Sequence, residues 1–326
     1  MKRSLEEWGI AMARRLPDTA GQRSEPSDAR PRHRRQPFII ALTFDTSHLT
    51  MKSTRLMILE ERSMSYADIA YELRDGSARI TLNRPEELNA IGPRLIEEFG
   101  DALDRAADDV GVLALVVTGA GRAFCAGADL KFLNEAPAER RATAAAAFVR
   151  SASLLMDRIE AFPKPVVAAV NGLATAGGME LVLSCDLVLA VRGARLGDGH
   201  ANYGLLPGAG ASVRLPRKIG VTLAKQLFFT GDLVSADELA ARGLINQVVG
   251  DGELEGAVDA LVRKLATKSP LGLARMKQLV DDGLNQPRET AMRLELAMSA
   301  LHLHSADFQE GLAAFNAKRK PRFVGH

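Results

Sequence analysis

Between residues 78 and 249 the apolar positions fall into two rhythms, short saturated runs and longer stretches spaced by three or four. Ala78-Arg79-Ile80-Thr81-Leu82-Asn83 alternates like a strand and stops at Arg84-Pro85, where the residue before proline is pushed out of the helical region. Ile91, Leu95, Phe99 and Leu103 then carry helical spacing over 91–107, after Asn89. Leu113 to Thr118 is a continuous apolar strand followed by Gly119-Ala120-Gly121. Residues 137–161 read as one long helix, Ala-rich in its first half. Pro165 to Val170 and Leu187 to Val191 read as buried strands around a short helix at 178–184. A helix over 222–229 and a strand over Ile245–Val249 follow, and from about residue 255 the pattern is all helical. Strands apolar on both faces, alternating with helices, predict an α/β domain with largely parallel pairing.

The first 63 residues break this pattern. They hold 12 Lys/Arg against 8 Asp/Glu and the basic run Arg30-Pro31-Arg32-His33-Arg34-Arg35. The apolar run Pro37 to Leu42 is too short and too far in for an ordinary signal peptide. Residues 1–63 are therefore expected as a disordered extension, with 64–254 as the core and 255–326 as a helical region. Met64 is expected to be the start of the chain, or the extension to be dispensable. A net charge of +2 over 326 residues argues against nucleic acid or a membrane surface as partner. Two cysteines, Cys125 and Cys185, exclude a disulfide scaffold and fit a reducing compartment, expected to be the cytoplasm. No apolar run reaches the roughly 18 residues of a membrane span.

Two segments carry candidate chemistry. Ala174-Thr175-Ala176-Gly177-Gly178-Met179-Glu180 joins a buried strand to the helical run Leu181-Val182-Leu183. A glycine pair at a helix start leaves N–H groups bare, beside the positive end of the dipole, and Glu180 follows about one turn later. Together they would hold an oxyanion with a carboxylate beside it, equipment for chemistry next to a carbonyl. The second segment is Arg122 to Lys131, whose small residues let a ligand approach the backbone and whose Asp129 can cap the next helix. It reads equally well as a plain strand-to-helix turn. Other constellations fail. His302 and His304 face apart on a helix, so no metal site is expected. Gly119–Gly121 and Gly208–Gly210 lack a dinucleotide fingerprint. Cys125 has no dedicated histidine nearby and reads as a packing residue.

Taken with Leu82–Ala90, Leu206-Pro207-Gly208-Ala209-Gly210, Ser305–Gly311 and Ala314–Arg319, these segments resemble the crotonase (enoyl-CoA hydratase/isomerase) family over residues 66–323. The resemblance implies an α/β spiral of strand-strand-helix repeats with a C-terminal helical trimerisation region, assembled as a homotrimer or homohexamer. It implies an acyl-CoA substrate and no separate cofactor, coenzyme A being part of the substrate. The N–H groups of Ala128 and Gly177 would hold the thioester oxygen, each donor contributing about 3–4 kcal/mol. Glu87, Leu88, Ala126, Asp129 and Leu130 would line the coenzyme A path, Lys131 and Lys318 would meet its phosphates, and Phe315 would cover it. Family hydratases use two glutamates around one water. Glu180 matches one, and ungapped alignment of Gly197 to Gly204 puts His200 at the other. Histidine titrates near about pH 6.5 and can partner Glu180 as acid or base, or be merely structural. Asp198, two residues earlier, is a further candidate for the missing carboxylate. The leading expectation is a 2-enoyl-CoA hydratase or close lyase. Double-bond isomerisation, thioester hydrolysis and non-catalytic acyl-CoA binding are the alternatives.

Overall fold

The computed structural model describes residues 66–326, so the expectations for residues 1–63 lie outside the described residues. In chain order the elements are β1 (Ile69–Arg74), β2 (Ser77–Leu82), α1 (Pro93–Asp108), β3 (Ala114–Gly119), β4 (Ala123–Cys125), α2 (Lys131–Glu135), α3 (Ala138–Glu160), β5 (Val166–Val170), β6 (Leu173–Thr175), α4 (Gly177–Leu183), β7 (Leu187–Val191) and β8 (Arg195–Gly197). They continue with α5 (Ala211–Ile219), α6 (Val221–Thr230), β9 (Leu233–Ser235), α7 (Ala236–Ala241), β10 (Gln247–Val249), α8 (Leu254–Leu265), α9 (Pro270–Gly283), α10 (Arg288–His302) and α11 (Ala306–Asn316).

The strands form two sheets. The larger runs β1-β2-β3-β5-β7-β10, parallel throughout except for the antiparallel β1–β2 hairpin. The smaller runs β4-β6-β8-β9. Each of β3, β5 and β7 thus lies in the large sheet and is followed a few residues later by β4, β6 or β8 in the small one, before the chain turns into a helix or a single 3-10 turn. That is the strand-strand-helix repeat, wound as a spiral.

The large sheet is covered on both faces, which explains its saturated strands. Leu115 and Val117 of β3 belong to the main core with α1 (Leu95, Phe99, Leu103), while Ala114 and Val116 face a second cluster with Val258 and Val262 of α8. β5 divides the same way, Val166, Ala168 and Val170 to one side and Val167 and Ala169 to the other. Successive residues of a strand point to opposite faces, so helices on both sides demand apolar residues at every position. Burying one such Val or Leu fully contributes about 1.5–3 kcal/mol.

Three parts escape the sequence pattern. β1 has one fully buried position in six, Ile69, because it is an edge strand with a solvated face. The small-sheet strands are three residues each, shorter than any periodicity resolves. Helices α5 and α7 were likewise not anticipated, whereas the region beyond residue 254 is helical as expected. Among the described residues no helix is long and apolar enough to cross a membrane.

Candidate active site

The small sheet brings the two glycine-rich segments side by side. β4 pairs with β6 in parallel, so the turn after β4 (Ala126–Leu130) and the turn after β6 (Ala176–Gly177) leave the sheet together. Three details fix their approach. Gly127 has φ 103°, a conformation glycine supplies without strain. Gly178 packs on β4 so closely that a Cβ would sit 2.0 Å from the carbonyl oxygen of Cys125. Ala176, between β6 and α4, holds φ 50° and ψ −119°, a strained position for a residue with a side chain. The glycine pair therefore has divided duties. Gly178 allows the packing, and Gly177 presents its N–H.

The Ala128 N–H is freed by register. In the parallel bridge of Ile91 with Ala128, the Ile91 N–H donates to Gly127 O (2.7 Å) and the Asp129 N–H donates to Ile91 O (2.8 Å). The N–H of Ala128 consequently points to the opposite side. A Cβ on Gly177 would lie 3.5 Å from Ala128 N, so the two backbones are in contact distance of one another. Both residues line a cavity of about 130 Å³, together with Leu130, Glu180, His200 and apolar side chains of α3.

Glu180 is 3% exposed on the first turns of α4. Its Oε1 accepts from the N–H groups of Ala209 (2.8 Å) and Ala211 (3.2 Å), so the Leu206–Gly210 stretch serves to hold this carboxylate. Arg214 braces that stretch, donating to Ala209 O at 2.8 Å while pairing with Asp157 and Glu160 of α3. Burial pushes the Glu180 carboxyl above its ordinary range, against the opposing pull of the two N–H groups and of His200. His200 opens the 3-10 turn after β8, with Nδ1 2.9 and 3.0 Å from the two carboxylate oxygens of Asp198. Burial lowers its pKa, but the hydrogen bond and charge of Asp198, with Glu180, outweigh this and raise it. The charge of each also favours the charged form of the other, as a smaller contribution beside burial and the hydrogen bonds.

The structure brings together Ala128, Leu130, Gly177, Glu180 and His200 around one cavity. Glu87, Leu88 and Ala126 do not line it, although the Ala126 N–H donates to Leu88 O at 3.0 Å and so holds their two segments against each other. The Asp129 carboxylate is committed to Arg84 (2.8 Å) and to the Lys131 N–H (3.0 Å), the anticipated helix-start contact, and Lys131 itself is exposed. Phe315, 81% exposed, and Lys318 do not line the cavity within one chain. The Cys125 thiol is fully buried and pushed up to about 12, which suits packing and not nucleophilic attack.

Three positioning residues had not been singled out. Asn89, buried at φ 57°, donates to Ala120 O and Ala123 O and accepts from the Arg84 N–H, stapling its loop to β4. Arg84 ties that loop to the turn after β4 through Ala90 O and Asp129. Both lie in the Leu82–Ala90 stretch the resemblance marked, but their duties depend on partners 30 or more residues away. Arg214 left no signal in the sequence at all.

A family model described as "Enoyl-CoA hydratase/isomerase" matches residues 72–326. The chain belongs to the enoyl-CoA hydratase/isomerase family. It is 36% identical over 262 residues to the crotonyl-CoA hydratase of Syntrophomonas wolfei, covering 80% of this chain and 99% of that protein. It is likewise 36% identical over 257 residues to the 1,2-epoxyphenylacetyl-CoA isomerase of Escherichia coli, covering 79% and 98%. A crystal structure of an enoyl-CoA hydratase from Bacillus anthracis superimposes with a TM-score of 0.75 at 34% identity, covering 80% of this chain and all of that one. This crotonase-type enzyme family accounts for the spiral and for the acyl-CoA hydratase/isomerase class of chemistry.

Proposed function

We propose that this enzyme hydrates a 2-enoyl-CoA thioester. The observation that carries the reading is one cavity holding two free backbone N–H groups, a buried carboxylate anchored by a single oxygen, and an imidazole. The N–H groups of Ala128 and Gly177 bind the thioester oxygen and take up the charge that develops there on water addition. Glu180, held through Oε1, uses Oε2 to take a proton from water as the water oxygen bonds to the β-carbon. His200, whose charged form Asp198 favours, gives a proton to the α-carbon. One water is consumed, and the proton gained by Glu180 returns to His200 by exchange. Burial raises the Glu180 carboxyl and Asp198 favours the charged form of His200, shifts that suit a base and an acid. Coenzyme A arrives as part of the substrate, and the step needs no further cofactor.

Double-bond isomerisation is the second reading. Glu180 is the one carboxylate lining the cavity among the described residues, and one carboxylate suffices to shuttle a proton between two carbons. Purified protein is mixed with crotonyl-CoA and with longer and branched enoyl-CoAs, and loss of the conjugated thioester absorbance is followed in labelled water. Solvent oxygen in the product supports hydration. Double-bond migration without it supports isomerisation, and no turnover on any member of the panel overturns both.

A homotrimer or dimer of trimers completes the proposal, with a neighbouring copy supplying Phe315 and Lys318 to the coenzyme A path. Met276, Val280 and Leu284 recur every fourth residue along and just past α9 and are 65%, 61% and 67% exposed, an apolar row that a second copy would cover. Mass by light scattering tests it. The two cysteines, buried and unpaired, suit action in the cytoplasm.

A further inference from the structure

The hydration scheme uses His200 but gives no duty to Asp198. This aspartate lies between β8 and the 3-10 turn and has no exposed surface. Among the described residues its carboxylate hydrogen-bonds with a single one. Oδ1 and Oδ2 lie 2.9 and 3.0 Å from His200 Nδ1, and Oδ1 also accepts from the His200 N–H at 3.2 Å. Among the described residues no lysine or arginine pairs with it. A buried carboxylate is costly, and an asparagine of the same shape would brace a turn without that cost. The charge itself therefore calls for a use.

The chemistry of the contact supplies one. A carboxylate accepts hydrogen bonds and cannot donate, so His200 Nδ1 must carry its proton. In the neutral ring this leaves the lone pair on Nε2. In the charged ring Nε2 carries the second N–H. Either way the exchangeable proton sits on the ring edge turned away from Asp198, and His200 lines the cavity. Two charged groups face the imidazole, Asp198 from its own turn and Glu180 from α4.

We propose that Asp198 is a positioning residue, fixing the tautomer and orientation of His200 so that Nε2 is the atom that exchanges a proton with the acyl-CoA substrate. An imidazole–carboxylate pair then stands where family hydratases place a second glutamate. The inference rests on the acid role given to His200 above. It also adds something a lone histidine would lack: a side chain unable to adopt the neutral Nε2–H form.

The test has a spectroscopic arm and a kinetic arm. With ¹⁵N-labelled histidine in the full chain, the ring nitrogens of His200, assigned by their loss in His200→Ala, are followed with pH. Above the ring's ionisation, Nδ1 is expected to be protonated and Nε2 bare. A neutral Nε2–H form in the parent protein overturns the proposal. This arm needs neither turnover nor a folded Asp198 variant, so it stands even if hydration of enoyl thioesters is disproved. In the kinetic arm, Asp198→Asn lowers kcat for crotonyl-CoA by roughly 10²-fold, the scale of one acid–base group, with KM changed less than about threefold. The pH limb that disappears in His200→Ala moves to lower pH in Asp198→Asn, because a neutral neighbour no longer favours imidazolium. In the His200→Ala background, Asp198→Asn costs nothing more. If it costs as much there as in the parent, Asp198 acts independently of His200 and the proposal fails.

Discussion

Glu180→Gln separates the chemistry of this site from its architecture, because activity and stability should move in opposite directions. The substitution keeps side-chain length, and the amide oxygen can still accept from Ala209 and Ala211 at the Oε1 position. The NH₂ group then falls where Oε2 stood. A donor replaces the base that must take a proton from water. One acid–base group contributes roughly 10²–10⁴ in rate, or about 3–5 kcal/mol in the barrier, and kcat should fall by that factor. KM should hold, since the oxyanion donors and the apolar α3 face are untouched. Stability follows from the shifted ionisation. Burial raises the Glu180 pKa above its unfolded value, so the folded state binds the proton more tightly than the unfolded chain. The ionised form thus costs stability in full above the folded-state ionisation, and that cost fades as pH falls from there to the ordinary carboxylate range, below which it is gone. Glutamine lacks the cost at every pH. Glu180→Gln should melt higher than the parent at pH 8, by about 2–4 °C per kcal/mol relieved, with the gap closing toward pH 4. Scanning calorimetry at several pH values and steady-state hydration of crotonyl-CoA read the two effects. A variant that keeps a tenth or more of kcat refutes the acid–base role. One that melts lower than the parent at pH 8 refutes the claim that burial dominates this carboxyl.

Three further outcomes test the scaffold around it. Gly178→Ala places a Cβ 2.0 Å from Cys125 O, so β4 or α4 must shift, costing about 1–3 kcal/mol in thermal unfolding and most of the turnover; unchanged melting would refute the close packing. For Asp129, the cost of burial is outweighed by the hydrogen bonds and charge of Arg84 and the Lys131 N–H, which hold its carboxyl below the ordinary range, so it stabilises the fold above that range and loses the effect as pH falls through the lowered value. Arg84→Met should move the acid unfolding midpoint to higher pH, and an unmoved midpoint would show that Arg84 contributes nothing through this pair. Lys318→Ala should raise KM for an acyl-CoA several-fold while leaving the matching acyl-pantetheine unaffected; equal effects on both would place the lysine away from the phosphates.

The saturated strands, the long helix over α3 and the helical C-terminal region could all be read from hydropathy, because a sheet covered on both faces writes its burial into every residue. The glycine pair, Glu180 and the small-residue turn over Ala126–Leu130 could be read as well, since bare N–H groups and small side chains are local properties. What the pattern could not show was the small sheet. Its three-residue strands are too short for a period, yet their pairing sets Ala128 against Gly177. Arg214, Asn89 and Arg84 stayed silent for a related reason: each bonds a partner more than 30 residues away, the carboxylates of Asp157 and Glu160, the backbone of Ala120 and Ala123, and the carboxylate of Asp129, and a hydrogen bond across such a distance leaves no trace in spacing. The amino-acid sequence by itself determined the family and the layered fold, and it named the candidate residues for the site. Only the tertiary structure decided that the Leu206–Gly210 stretch holds Glu180 and that Asp198 stands behind His200, because which N–H meets which carboxylate is fixed by how the chain packs.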